Sequence, residues 1–197
     1  MMAERGINLA HTTIMRWVQR HVPEFAKHWQ RYAQPVGTSW RVDETYIKMK
    51  GKWISLYRGV DRAGQTIDFF VSEHRDIAAA KRFLQQAIMK RGVPQKITLD
   101  EYAASQAAVA ELQNTRILPH NLIVRTNRSL NNLIEQDHRR VKQRVRPMLG
   151  FKRFDHAAVT IAGIELIHQV NKGQFALSSL CPPITRTPQL WEAVLAA

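Results

Sequence analysis

The chain has 197 residues, 45% of them apolar, and a formal net charge of +13 from 29 Lys+Arg against 16 Asp+Glu. That length suits one α/β core with short flanking elements, and the positive excess favours a polyanionic partner, because each Lys or Arg near a phosphate releases a condensed counterion. No apolar run approaches the roughly 18 residues of a spanning helix and no signal peptide is visible; with Cys181 the sole cysteine, an internal disulfide and a cysteine-based zinc site are both excluded, and a reducing cytoplasm with no membrane partner is the expectation.

Residues 1–29 read as helical, with Gly6 separating a short MMAER segment from the rest. Ile14, Trp17 and Val18 recur at helix spacing, and His11, Thr12 or Thr13 serves as N-cap. Gln34-Pro35-Val36-Gly37 reads as a linker. From Trp40 the pattern becomes β-branched and aromatic: Trp40–Lys50 and Lys52–Val60 flank a turn at Gly51, and Asp61–Gly64 turns into TIDFFVS. Three strands joined this way make an antiparallel meander. Asp76 caps a helix with an apolar stripe at Ile77, Ala80, Phe83, Leu84, Ala87 and Ile88, stopped by Gly92-Val93-Pro94. Lys96–Asp100 is a strand reached through that crossover and should lie parallel to the first. A small-residue helix at Ala103–Gln113, a fifth strand at Leu122–Arg125 and helices at Asn131–Arg146 and Phe154–Asn171 follow, the last with Asp155 as N-cap. Beyond Ala176 little periodicity remains; a loose tail is expected, with Leu190, Trp191 and Val194 docking. The five tryptophans, Trp53 included, read as core or linker packing. This order matches a ribonuclease H-like α/β fold: a mixed five-stranded sheet flanked by helices.

Within that order Asp43, Asp100 and Glu135 sit on elements that can converge at one end of the sheet. Phosphodiester chemistry of the two-metal kind needs carboxylates that hold two cations about 4 Å apart, and Mg²⁺ takes few carboxylates and keeps its other positions for water and phosphate. An Asp inside a strand, as Asp43 is, disfavours β structure and so calls for a partner or a function. Asp100 alone reads equally well as a helix N-cap, and Glu135 alone as an i,i+4 partner of Arg139. Glu44 is assigned to the opposite face from Asp43 by strand alternation, Asp61 to a turn, and Asp137 to another helix face. Glu135, His138, Arg139 and Lys142 share one face. Arg139, Arg140, Lys142, Arg144, Arg146, Lys152 and Arg153 form a run without an acid, suited to flanking phosphates. His120, His138, His156 and His168 are too scattered for a metal cluster, and His168 reads as part of a packed helix.

The set Asp43…Asp100…Glu135 with Lys142 seven residues on, and the strings RVDETYIKMKGKWISLYRGVDRAGQTIDFF, ITLD, NNLIEQDHRRVKQRVRPMLGFKRF and AGIELIHQVNKGQF, resemble the DDE transposases of bacterial insertion sequences, specifically the insertion sequence six family. The resemblance covers roughly Gly6 to Phe175. It implies a partial N-terminal helix-turn-helix at 1–33, a ribonuclease H-like catalytic core at 38–175 and a tail at 176–197. It implies Mg²⁺ or Mn²⁺, as two ions held by Asp43, Asp100 and Glu135. It also implies double-stranded DNA as partner, both terminal inverted repeats and target, with a homo-oligomer assembled on it near the nucleoid. DNA contacts would come from Arg139, Arg140, Lys142, Arg144 and Arg146, and from Arg16 and Arg20 on the N-terminal helix. In the family the residue after the second Asp is commonly Lys; here it is Glu101, and the first helices of the usual helix-turn-helix are missing. Two rival readings stay open: a shortened, non-catalytic DNA-binding remnant, and a metal-dependent nuclease on the same fold.

Overall fold

The computed structural model describes Gly6, residues 9–126 and 132–177, and Val194 (for 132 and 133 the backbone alone). The chain divides into two compact units, residues 35–154 and residues 1–34 with 155–197.

The larger unit is built on a five-stranded sheet in the order β3-β2-β1-β4-β5. Its strands are β1 Ser39–Met49, β2 Lys52–Asp61, β3 Thr66–Ser72, β4 Lys96–Leu99 and β5 Ile123–Thr126. β1 and β2 pair antiparallel along their length, Trp40 opposite Asp61 and Met49 opposite Lys52. The turn between them places Lys50 and Gly51 at φ of 48° and 77°, the two positive values that a tight hairpin matching strand twist requires. β3 adds antiparallel to β2, and β4 and β5 add in parallel on the other side of β1. The expected meander and parallel fourth strand are therefore present. Asp61 closes the β2–β3 turn as foreseen, its carboxylate accepting from the backbone N–H groups of Gly37, Ala63 and Gln65.

α2 (Ile77–Arg91) starts where Asp76 accepts from Ala79 N at 2.8 Å and ends at Gly92, φ 82°. It packs with α3 (Ala103–Asn114) over one sheet face. Trp40, Val42, Tyr57, Phe83, Leu84, Ile97, Leu99, Val109 and Leu112 fill the core there. α4 (Asn132–Val145) packs against β1 and β2. Its buried positions, Ile134, Asp137, His138, Val141 and Val145, follow the 3.6-residue period of one helix face. Two of these five are polar, and Asp137 accepts from Arg58 Nη2 at 2.8 Å in a pair nearly closed to solvent. A short 3₁₀ turn, Arg146–Met148, ends the helix at Pro147. Phe151 then joins β1, its N–H donating to Lys48 O at 2.9 Å and its carbonyl accepting from Lys50 N at 2.8 Å.

In the second unit, α1 (His11–Gln30) begins one to three residues before the start that an N-cap at His11, Thr12 or Thr13 would give, and is capped at Ala10 without a side-chain bond. α5 (Phe154–Asn171) likewise begins before Asp155, which lies in its first turn; an N-cap must precede the first helical residue. Gln19 Nε2 donates to His156 O and Thr160 Oγ1, and Trp29, Leu166, Val170, Phe175 and Val194 cluster. His168 is buried on α5 as expected. MMAER, Cys181, Leu190 and Trp191 lie outside the described residues. Trp53, assigned to packing from sequence, is 65% exposed, and Trp17 is exposed too. Trp53 lies three residues from the hairpin turn on a strand whose first two residues project beyond the core.

Removing one partner of the Arg58–Asp137 pair strands the other charge, so Asp137→Ala should cost about 3–5 kcal/mol. Arg58→Met with Asp137→Leu should recover most of that, and urea denaturation of the two variants measures both.

Candidate active site

β2 occupies one edge of β1 throughout. The other edge is taken by β4 only at Ser39–Arg41 and by Phe151 at Lys48–Lys50. Among the described residues no strand pairs with residues 42–47 of β1 on that side, and Asp43 and Glu44 stand in this window. Asp100 follows the last residue of β4, where its Oδ1 accepts from Tyr102 N at 3.1 Å in an Asx turn. One oxygen each from Asp43, Glu44 and Asp100 falls within 4.8 Å of the others.

Glu44 is the correction to the sequence reading. Alternation does send the two Cβ atoms to opposite faces, and Glu44 is buried on the α2–α3 face while Asp43 is half-buried. A carboxylate reaches beyond its Cβ, however, and at an open strand edge both faces lead to the same space. Only a weaker signal was available, because Glu is depleted in strands to a lesser degree than Asp.

Glu44 Oε1 accepts from Arg75 Nε at 2.7 Å and from Arg75 Nη2, and its Oε2 accepts from Ser105 Oγ at 3.4 Å. Burial raises the Glu44 pKa above the usual carboxylate range despite Arg75, with Asp100 and Asp43 adding repulsion. Asp100 is also raised, by burial first and then by Asp43, against the lowering bond from Tyr102 N–H. Both shifts have the same leading cause, the burial of a carboxylate, with repulsion from the neighbouring acids adding to it.

Glu135, the third sequence candidate, is exposed on α4 and lies outside that close group. It lines the same groove as Asp43 and Glu44, a space of about 1320 Å³. His138, Arg139, Lys142 and Arg146 line it as well, and Lys48, Trp53 and Leu149 complete its rim. The structure thus brings Asp43 and Asp100 together, while Glu135 lines the groove that Asp43 lines without joining their close group. Of the basic candidates, Arg139, Lys142 and Arg146 face the groove, whereas Arg140 and Arg144 are exposed elsewhere on α4. Arg16 and Arg20 are exposed on α1 in the other unit. His138 was set aside as scattered; its Nε2 lies 3.3 Å from Asp43 Oδ2, at ion-pair distance.

The donor set fits a divalent cation. All three groups are hard oxygen donors of the type Mg²⁺ prefers. Oxygens in one Mg²⁺ shell lie at most about 4.2 Å apart, so a spread of 4.8 Å needs only small side-chain rotation.

Comparison with known proteins agrees. A chain of the simian T-cell lymphotropic virus intasome, in complex with PP2A regulatory subunit B56 gamma, matches with a TM-score of 0.52 at 18% identity. The match covers 79% of this chain and 60% of that one, so this chain spans less than two thirds of its length. The shared feature is the ribonuclease H-like fold. A DDE domain model of the IS240 transposase type matches residues 37–174. The transposase of insertion sequence-like element IS431mec from Staphylococcus aureus is 37% identical over 172 residues, 87% of this chain and 75% of that protein. The Staphylococcus aureus transposase of insertion sequence element IS257 in transposon Tn4003 is 38% identical over 168 residues, 85% of this chain and 73% of its own. The chain belongs to the DDE transposases of bacterial insertion sequences, in the insertion sequence six family. Family and acidic group together support use of a divalent metal.

Asp100→Asn keeps the acceptor for Tyr102 N–H and removes one of three crowded negative charges. In metal-free, low-salt buffer it should stabilise the protein, because burial and the Asp43 charge both disfavour the Asp100 carboxylate. Added Mg²⁺ should raise the melting temperature of the wild type more than that of the variant. Thermal unfolding with and without chelator reads both effects, and a variant less stable than wild type in chelator contradicts the charge-crowding account.

Proposed function

We propose that this chain acts as a transposase that cuts DNA at insertion-sequence ends and transfers the freed strand to target DNA. The observation that carries this reading is the meeting of Asp43 and Asp100 at the β1 window, with Glu135 and a basic wall lining one groove. Asp43, Asp100 and Glu135 would hold two Mg²⁺ or Mn²⁺ ions. When bound, the cations neutralise charge on the scissile phosphate and on the attacking and leaving oxygens. Arg139, Lys142 and Arg146 would hold the flanking phosphates, with Arg140 and Arg144 extending that surface along α4. The buried α4 stripe fixes this wall, so the DNA is aligned against the carboxylates with little reorganisation. No serine or tyrosine nucleophile is required.

Further parts of the reading rest on family membership. Terminal inverted repeats and target DNA would be the partners, bound by a homo-oligomer because two ends must be joined together. Arg16 and Arg20 on α1 would contact DNA as part of a partial helix-turn-helix at 1–33, ahead of the catalytic core at 38–175 and the tail at 176–197. A cytoplasmic site of action near the nucleoid follows from the substrate. Among the described residues no helix is long and apolar enough to cross a membrane.

Strand transfer of a pre-cleaved DNA end by purified protein with Mg²⁺ tests the proposal. Asp43→Asn, Asp100→Asn and Glu135→Gln should each reduce product at least about a hundredfold, as losing a preorganised charge-stabilising group does, while leaving DNA affinity nearly unchanged. Activity surviving the first two substitutions removes the mechanism, and cleavage without any joined product favours the nuclease reading.

Lys142→Ala and Arg139→Ala should act oppositely, weakening binding to all sequences alike. Each should reduce the slope of log affinity against log salt by about 1. A salt titration of binding by fluorescence anisotropy measures it.

A further inference from the structure

Arg75 is not on any element that the sequence pattern connects to catalysis, yet it touches three parts of the site. It lies just before the Asp76 cap of α2, with its guanidinium on Glu44. Its Cζ stands 3.6 Å from the centroid of the Tyr102 ring and 5.5 Å from that of Tyr46. Tyr102 returns the contact: its hydroxyl donates to Arg75 O at 3.0 Å. The same Tyr102 supplies the N–H that holds Asp100 Oδ1. Arg75 and Tyr102 therefore clasp each other at two points, and the clasp bridges Glu44 on β1 to the turn that presents Asp100.

We infer that Arg75 is a positioning residue that withholds Glu44 from the metal group. This rests on the metal-dependent reading above. Glu44 has an oxygen near Asp43 and Asp100, but both of its oxygens are engaged, one by two Arg75 N–H groups and the other by Ser105. A carboxylate so held is a latent ligand. With Arg75 in place the site offers Asp43 and Asp100 at the window and Glu135 in the groove. Without Arg75 it gains a free carboxylate and loses a positive charge within the same few ångströms. Cation affinity rises with the number of charged ligands, so the metal would bind more tightly and in a different ligand shell. Tight binding in that shell would not help the reaction, because ligand positions meant for phosphate oxygens would be filled by protein. Charge neutralisation of Glu44 would thus set the number of carboxylates that the metal meets.

The test is Mn²⁺ binding to the full chain, followed by the loss of free-ion electron paramagnetic resonance signal, with strand transfer measured in parallel. Arg75→Ala should tighten Mn²⁺ binding about tenfold and lower strand transfer. Arg75→Ala combined with Glu44→Gln should return the Mn²⁺ affinity to within about threefold of wild type, because the added ligand is gone. Arg75→Lys keeps the charge with fewer contacts and should fall between; it serves if the alanine variant does not fold. Unchanged Mn²⁺ affinity in the folded variants, or a shift that Glu44→Gln does not reverse, overturns the inference. An arginine that merely held a DNA phosphate would lower DNA affinity equally in both Glu44 backgrounds and leave Mn²⁺ binding alone, which also overturns it. Absence of Mn²⁺ binding in the wild type would overturn the metal reading itself, and this inference with it.

Discussion

The site depends on a mismatch in strand length. β1 has eleven residues and β4 has four, and β4 pairs only with the first three of β1. Phe151 takes up the same edge again near the far end of β1. Gly150 makes that closure feasible: it adopts φ of 96°, and a Cβ there would come within 3.1 Å of Lys48 O. Between the two closures no strand among the described residues pairs with that edge of β1. An interior strand of a fully paired sheet would keep its two faces apart, and Asp43 and Glu44 could not approach the same point. The window removes that barrier and also brings in Asp100, which lies where β4 stops. Pairing pattern and chemistry are thus one fact: where backbone partners end, carboxylates collect.

The second wall is set by a different device. α4 turns two polar residues toward the sheet, which a helix does only when they are matched. Asp137 is matched by Arg58, and Arg58 stands directly opposite Asp43 in the β1–β2 register. His138, one residue on, reaches Asp43. Buried ion pairs add little net stability compared with apolar packing, but a single unpaired member is costly, so the pair strongly disfavours other rotations of α4. Rotation of α4 decides whether Glu135, Arg139 and Lys142 face the groove. The fold therefore uses a buried charge pair to orient the face of α4 that lines the groove.

Much of this was legible in the chain. Period-2 and period-3.6 patterns located the strands and helices to within a few residues, because each has one buried face. The crossover through α2 gave β4 its direction, since a parallel strand requires a long connection. Asp43 and Asp100 were legible because acids at strand positions contradict local propensity. Glu44, Arg75 and Trp53 were not, and neither was the approach of His138 to Asp43, although its place on one face with Glu135, Arg139 and Lys142 was. Each depends on where a neighbouring element stops or starts, which periodicity does not encode: Glu44 on the end of β4, His138 on the rotation of α4, Arg75 on the turn after Asp100. Trp53 sits in a strand whose first residues project past the core, so its β-like context suggested burial that pairing alone does not provide.

The remaining question is why a chain with +13 net charge concentrates acid where its polyanionic partner must react. The two charge signs act at different ranges. Thirteen excess positive charges draw DNA in over a distance set by ionic strength. Within a few ångströms the local balance decides, and there three carboxylates would repel phosphate. One of them, Glu44, carries a built-in counter-charge in Arg75. Asp100 has a backbone N–H donor, and Asp43 has Glu44 N at 2.9 Å and His138 nearby. Neither aspartate has a paired arginine or lysine among these contacts, and burial together with the Asp43 charge raises the Asp100 pKa. Asp43 and Asp100 would hold divalent cations there, and the bound charge would offset that of an approaching phosphate. Fixed compensation at Glu44 and withheld compensation at Asp43 and Asp100 are therefore two halves of one arrangement, in which the protein specifies how much charge it will leave for metal to supply.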